Sequence, residues 1–199
     1  MPSLRMTEGH DMNATRSTDI ARHEKEAPER FPIALIVLHW LIAVGIIAML
    51  AIGLYMVGLP RGLPFKAALI NFHKSLGLTI FLLVLIRIGV VMVSGRPPLP
   101  TMRAWQRAAA SATQVLLYVA MIVMPVTGYL GSSFNTYGTR FWGLLLPKWG
   151  WDDKALRHFW FGIHEITAWI LVALIALHAA GALKHQLIDR DGLLRRMLP

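Results

Sequence analysis

Four stretches of this chain are long and apolar enough to cross a bilayer: residues 31–57, 67–93, 108–131 and 161–183. About 20 mostly apolar residues, at 1.5 Å of rise each, match the hydrocarbon thickness of a membrane. The second stretch carries Asn71, His73, Lys74 and Arg87, so its assignment rests on the apolar centre at 76–86. The third contains Pro125, which a membrane helix tolerates better than a soluble one. No fifth span and no internal repeat is visible. The expectation is an all-α integral membrane four-helix bundle with up-down topology, formed by residues 31–199 as one domain.

Composition agrees with the bunching. Of 199 residues, 55% are hydrophobic and the mean hydropathy is +0.51, which is high for a soluble domain. Cysteine is absent, which excludes disulfides, thiolate-held iron–sulfur clusters and a covalently tethered haem. The net charge of +9 lies in short segments between the apolar runs, not in a patch on a folded domain. It therefore reads as orientation and anchoring in lipid, with no nucleic-acid partner.

Basic residues set orientation. Thirteen of the 20 Lys and Arg fall in the N-terminal tail, around the middle loop and in the C-terminal tail, against seven on the opposite side. Both termini are thus expected in the cytoplasm, with segment 132–160 outside. That segment is rich in aromatics, including Phe134, Tyr137, Trp142, Trp149 and Trp151, as an interfacial segment would be. Residues 1–30 are polar, mixed in charge and lack an apolar run, so they read as a disordered cytoplasmic tail and not as a signal peptide.

Eight histidines are present. His10 and His23 lie in the tail and His158 in the outer segment, where solvation suffices. His39, His73, His164 and His178 lie inside spans, where ionisable side chains are expensive and mark function. His39 enters from the inner side and His73 from the outer side. His164 and His178 are 14 residues apart on one helix, which is about 21 Å along the axis and within about 40° of one face. Depth pairs His39 with His178 and His73 with His164. Two such pairs suit two bis-imidazole haems stacked through a bundle. Arg87, 14 residues after His73, reaches the depth of the inner pair. It either meets a haem propionate or snorkels as an orientation signal. Lys74 and Arg157 stand in the same relation to the outer pair. Small residues, among them Gly45, Gly53, Gly77 and Gly181, leave room beside a flat group or serve ordinary helix packing. His164-Glu165 begins like a zinc-protease motif, but Ala168 stands where the second histidine would be.

The chain resembles the bacterial cytochrome b561 family. The matching stretches are Leu38-His39-Trp40-Leu41, Asn71-Phe72-His73-Lys74-Ser75-Leu76-Gly77 and Pro125-Val126-Thr127-Gly128-Tyr129, then Gly162-Ile163-His164-Glu165 and Leu177-His178-Ala179-Ala180-Gly181-Ala182-Leu183-Lys184-His185. The resemblance implies two non-covalent b haems ligated by His39, His73, His164 and His178, a multi-pass location in the bacterial inner membrane, and electron exchange with ubiquinone or another quinone. It also implies, for some members, oxidation of superoxide outside; the outer segments carry seven basic residues against Asp152, Asp153 and Glu165.

The leading expectation is a transmembrane electron carrier, with superoxide:quinone oxidoreductase as the enzymatic form. A quinone step needs protons, and histidine suits proton transfer at physiological pH. His185, at the inner end of the fourth span, is the candidate catalytic residue, with Lys184 as its helper. Two alternatives stand beside it. One is a haem-bearing anchor subunit for a soluble redox partner protein, docked through the aromatic outer segment. The other is a metal transporter using the histidines directly, although such transporters also favour intramembrane carboxylates.

Overall fold

The computed structural model describes residues 30–95 and 102–198. The proposed disordered tail, apart from Arg30, and with it His10 and His23, lies outside them. Among the described residues, four long helices form the bundle: α1 (Ile33–Gly58), α2 (Pro64–Ser94), α3 (Ala104–Ser133) and α4 (Lys154–Lys184). All four are long and apolar enough to cross a membrane. They run alternately up and down, α1 packing chiefly on α2 and α3 on α4.

Local chemistry sets most boundaries. Pro32 precedes α1, and Pro60 holds Leu59 in extended backbone just after it. Pro64 is the first residue of α2, where its missing N–H is no loss. Gly95 ends α2 at φ +69°, a conformation side-chain-bearing residues avoid. Gln106 Oε1 accepts from the Arg103 N–H at the start of α3. Asp153 caps α4 by accepting from the N–H groups of Ala155 and Leu156 at 2.8 and 3.0 Å. This cap places His158 in the opening turns of α4 rather than in a loop. The helix therefore begins well before the apolar stretch at 161.

Few side chains are shielded by protein. The packed core is Ile42, Ile80 and Val84, flanked by Leu38, Ile46, Met49, Leu76 and Met121. Large apolar side chains such as Val57, Leu85, Val115 and Ile170 face outward, as lipid-facing residues do. Gly45 and Gly77 let α1 and α2 close up: a Cβ at either would stand 3.0 Å from Ile80 Cδ1 or 3.1 Å from Met49 Cε.

The connection between α3 and α4 carries a small β-hairpin, β1 (Arg140–Phe141) and β2 (Leu144–Leu145), with Arg140 opposite Leu145 and Phe141 opposite Leu144. Its two-residue loop, Trp142 and Gly143, has φ of +47° and +95°, the conformation that tight hairpins require. Strain at Trp142 is offset by docking on α2. The Trp142 N–H donates to Ser75 Oγ at 3.0 Å, and its indole N–H donates to Thr79 Oγ1 at 3.1 Å. At the opposite end, α4 passes into a π-helical turn (His185–Asp189) and then a 3₁₀ turn (Leu194–Met197). That turn ties back to α1: the Trp40 indole N–H donates to the Met197 carbonyl at 2.7 Å, and the buried Arg196 guanidinium lies 5.8 Å from the Phe31 ring centre.

Candidate cofactor site

Up-down topology brings the start of α1 beside the end of α4, and the start of α2 beside the start of α4. His39 and His178 meet toward the end that carries Phe31 and the π-helical turn, with ring centroids 6.2 Å apart. His73 and His164 meet toward the hairpin end, with centroids 6.4 Å apart. The pairs that depth predicts are the pairs in contact. Within each, the rings are steeply inclined, at 63° and 69°.

These spacings have a chemical meaning. With a metal–nitrogen bond of about 2 Å and about 1 Å more to each ring centre, two imidazoles sharing one metal place their centroids about 6 Å apart. Both pairs stand at that separation. The residues present therefore fit a haem iron, which His39 with His178 and His73 with His164 would hold.

Surrounding groups orient the rings. His164 Nδ1 donates to the carbonyl of Met124 at 2.9 Å, which holds the proton on Nδ1 and leaves Nε2 with a free lone pair. Thr127 Oγ1 lies 3.3 Å from the same nitrogen while bonding its own helix at Val123 O. Gly128 makes the approach possible, since a Cβ there would lie 3.1 Å from His164 Cε1. Gly53 serves His73 in the same way, at 3.4 Å from Cε1. His73 Nδ1 is buried without a hydrogen-bond partner, an unsatisfied polar atom in an apolar bundle. Met124 does not stand out in the sequence, and Thr127 does so only as part of a family-like stretch. The only local signal was the Pro125-Val126-Thr127-Gly128 stretch.

A cavity of about 600 Å³ surrounds the His73–His164 pair. It is within the size range of cofactor pockets. Its walls are mostly apolar, among them Leu50, Leu78, Phe81 and Met121, with Lys74, Ser132 and Thr139 at the hairpin end. An apolar slot with two facing imidazoles and a polar end fits an amphipathic macrocycle.

Arg87 reaches the other pair, where its guanidinium donates to His39 Nδ1 at 3.0 Å. An Nδ1 that accepts has its proton on Nε2. For His39 to bind metal through Nε2 as a neutral ring, Arg87 has to turn away from Nδ1 and find another acceptor.

His185 is buried in the π-helical turn, with Nδ1 2.6 Å from Asp191 Oδ2 and 3.2 Å from Asp189 Oδ2. Lys184 Nζ also pairs with Asp189. His185 and Lys184 are legible as candidates in the sequence and the two aspartates are not, although His185 and Asp189 have the spacing of helical neighbours. The three donors of His185, Asp189 and Asp191 lie within 4.8 Å of one another. The Lys184 ammonium already neutralises part of that cluster. His158 is exposed on α4.

Comparison with known proteins identifies the family. The family model for prokaryotic cytochrome b561 matches residues 30–199. Cytochrome b561 homolog 2 of Escherichia coli (strain K12) is 34% identical over 182 residues, covering 86% of this chain and 92% of that protein. Cytochrome b561 homolog 1 of the same strain is 28% identical over 175 residues, 85% of this chain and 97% of its own. Cytochrome b562 of Cereibacter sphaeroides is 29% identical over 126 residues, 63% of this chain and 65% of its own. With four membrane-spanning helices and histidines facing one another inside them, the chain belongs to the prokaryotic cytochrome b561 family of electron-transferring membrane haem proteins.

Proposed function

We propose that this protein carries electrons across the bacterial inner membrane through two non-covalent b haems, one between His39 and His178 and one between His73 and His164. The carrying observation is that two histidine pairs, each about 6 Å between ring centres, share α4 with their members 14 residues apart. Bound haem iron supplies the one-electron chemistry. The chain's own part is to ligate, to space and to keep water out. The rigid α4 sets the separation of the two pairs. The apolar walls around His73 and His164 exclude water. The Met124 carbonyl keeps the His164 tautomer that leaves Nε2 open.

In this reading both termini are cytoplasmic and the hairpin end faces outward. The donor there is a small anion, with superoxide as the substrate that the family resemblance implies. The excess of basic side chains at that end supports it. Quinone is reduced at the terminal end. There His185 passes a proton from Nε2 to a quinone oxygen, while Asp191 holds Nδ1 and orients the ring. Lys184 and Asp189 flank it.

The test is a reduced-minus-oxidised spectrum with a pyridine haemochrome assay on detergent-purified protein. It is run on wild type and on His39→Ala, His73→Ala, His164→Ala and His178→Ala. Two b haems per chain, with about one lost in each variant, is the expected result. Haem content indifferent to all four changes overturns the ligand assignment. Superoxide-dependent reduction of a soluble quinone analogue, abolished by superoxide dismutase, tests the donor.

A further inference from the structure

At the hairpin end of the cavity, two buried hydroxyls lack a hydrogen-bond partner and an ammonium lies beside them. Ser132 is fully buried and Thr139 is 4% exposed, and both hydroxyls are without a hydrogen-bond partner. Both residues line the cavity around His73 and His164. The behaviour of Ser132 departs from its neighbours. Ser75, Thr79, Thr127, Ser133 and Thr167 each satisfy their hydroxyl on the carbonyl four residues back, the usual habit of such residues inside helices. Ser132 does not. Thr139 uses its backbone carbonyl on Leu146 N to close the hairpin, and its hydroxyl on nothing.

Lys74 stands beside them. One of its N–H groups donates to the Gly138 carbonyl at 2.8 Å, next to Thr139. An ammonium has three donors, and among the described residues no carboxylate forms an ion pair with this one, Glu165 in the cavity lining included. The group is thus one half-buried cation and two buried hydroxyl donors at one end of a mostly apolar slot, whose other polar lining includes Tyr129, Glu165 and the two histidines. Such a set calls for a carboxylate, which accepts several hydrogen bonds at once and supplies the missing negative charge.

We infer that Lys74, Ser132 and Thr139 bind the carboxylate edge of the macrocycle held between His73 and His164, and so fix which edge of that haem faces the hairpin end. This rests on the ligand assignment above. The hairpin then has a binding role: its docking on Ser75 and Thr79 brings Thr139 and Gly138 into place.

The experiment uses purified holoprotein and measures haem transfer to excess apomyoglobin, with resonance Raman spectra of the propionate bending modes. Ser132→Ala, Thr139→Val and Lys74→Met should each keep two haems as purified. One of the two haems should leave about tenfold faster in Lys74→Met and several-fold faster in the hydroxyl variants, as loss of a charge-assisted bond predicts. Lys74→Arg should largely restore the wild-type rate. The bending mode of one haem only should shift. A second measurement needs no variant. Wild-type apoprotein reconstituted with the dimethyl ester of haem should release one haem at the fast rate, and Lys74→Met should then add no further effect. Wild-type transfer rates in all variants, or equal release of esterified and free-acid haem, overturn the inference. His73→Ala separates the two proposals. If it loses one haem while the three variants behave as wild type, the ligand assignment holds and only the anchor fails. If it keeps both haems, the assignment itself falls.

Discussion

His164 Nδ1 donates to the Met124 carbonyl at 2.9 Å, across the interface between α3 and α4. The acceptor belongs to the backbone one residue before Pro125, and the ring passes over Gly128. One bond thus settles tautomer and orientation together.

Gly128→Ala should disturb this bond directly. The added methyl would lie 3.1 and 3.2 Å from His164 Cε1 and Nδ1, closer than a packed core accepts without movement. Overpacking of this kind costs about 1–3 kcal/mol. The expected outcome is haem content near one per chain and a lower melting temperature, measured by pyridine haemochrome and thermal denaturation. Unchanged haem content would show that the ring has room to shift.

Arg87→Met should remove a cation from beside His39. A nearby positive charge favours the reduced, more electron-rich state of a redox centre. One of the two haem midpoint potentials should fall by about 60 mV, equivalent to tenfold for one electron. Arg87→Lys should recover part of the shift. Redox titration of the difference spectrum reads both, and the second potential should stay in place.

His185→Ala should leave the haem spectrum intact and slow quinone reduction by about a hundredfold, the scale of a lost general acid. Asp191→Asn should have a smaller effect. It leaves His185 in place but removes the carboxylate 2.6 Å from its Nδ1. Stopped-flow haem reoxidation by a quinone analogue separates this from a structural fault. The initial reduction of the haems should run at the wild-type rate.

Ser75→Ala should cut the hairpin loose from α2, since Ser75 Oγ contacts both the Arg140 carbonyl and the Trp142 N–H. Limited proteolysis within residues 140–145 should accelerate several-fold while helical circular dichroism is retained. If Lys74, Ser132 and Thr139 bind a carboxylate edge, the same variant should release one haem faster than wild type.

Much of this protein is legible in its sequence because the relevant physics is local or one-dimensional. Four apolar runs specify four spans, since a bilayer demands about 20 such residues whatever surrounds them. Alternating direction and a fixed rise per residue bring His39 level with His178 and His73 level with His164, and those pairs are in contact. Other features depended on how helices turn toward one another and where a connecting segment lands. The Met124 carbonyl, the two aspartates around His185 and the Arg87 contact with His39 all belong here. So do the hairpin docked on Ser75 and the unsatisfied hydroxyls of Ser132 and Thr139. Sequence spacing predicts depth and face within one helix. Hydrogen bonds between helices depend on rotation and packing to within about an ångström, and only the assembled bundle decides those.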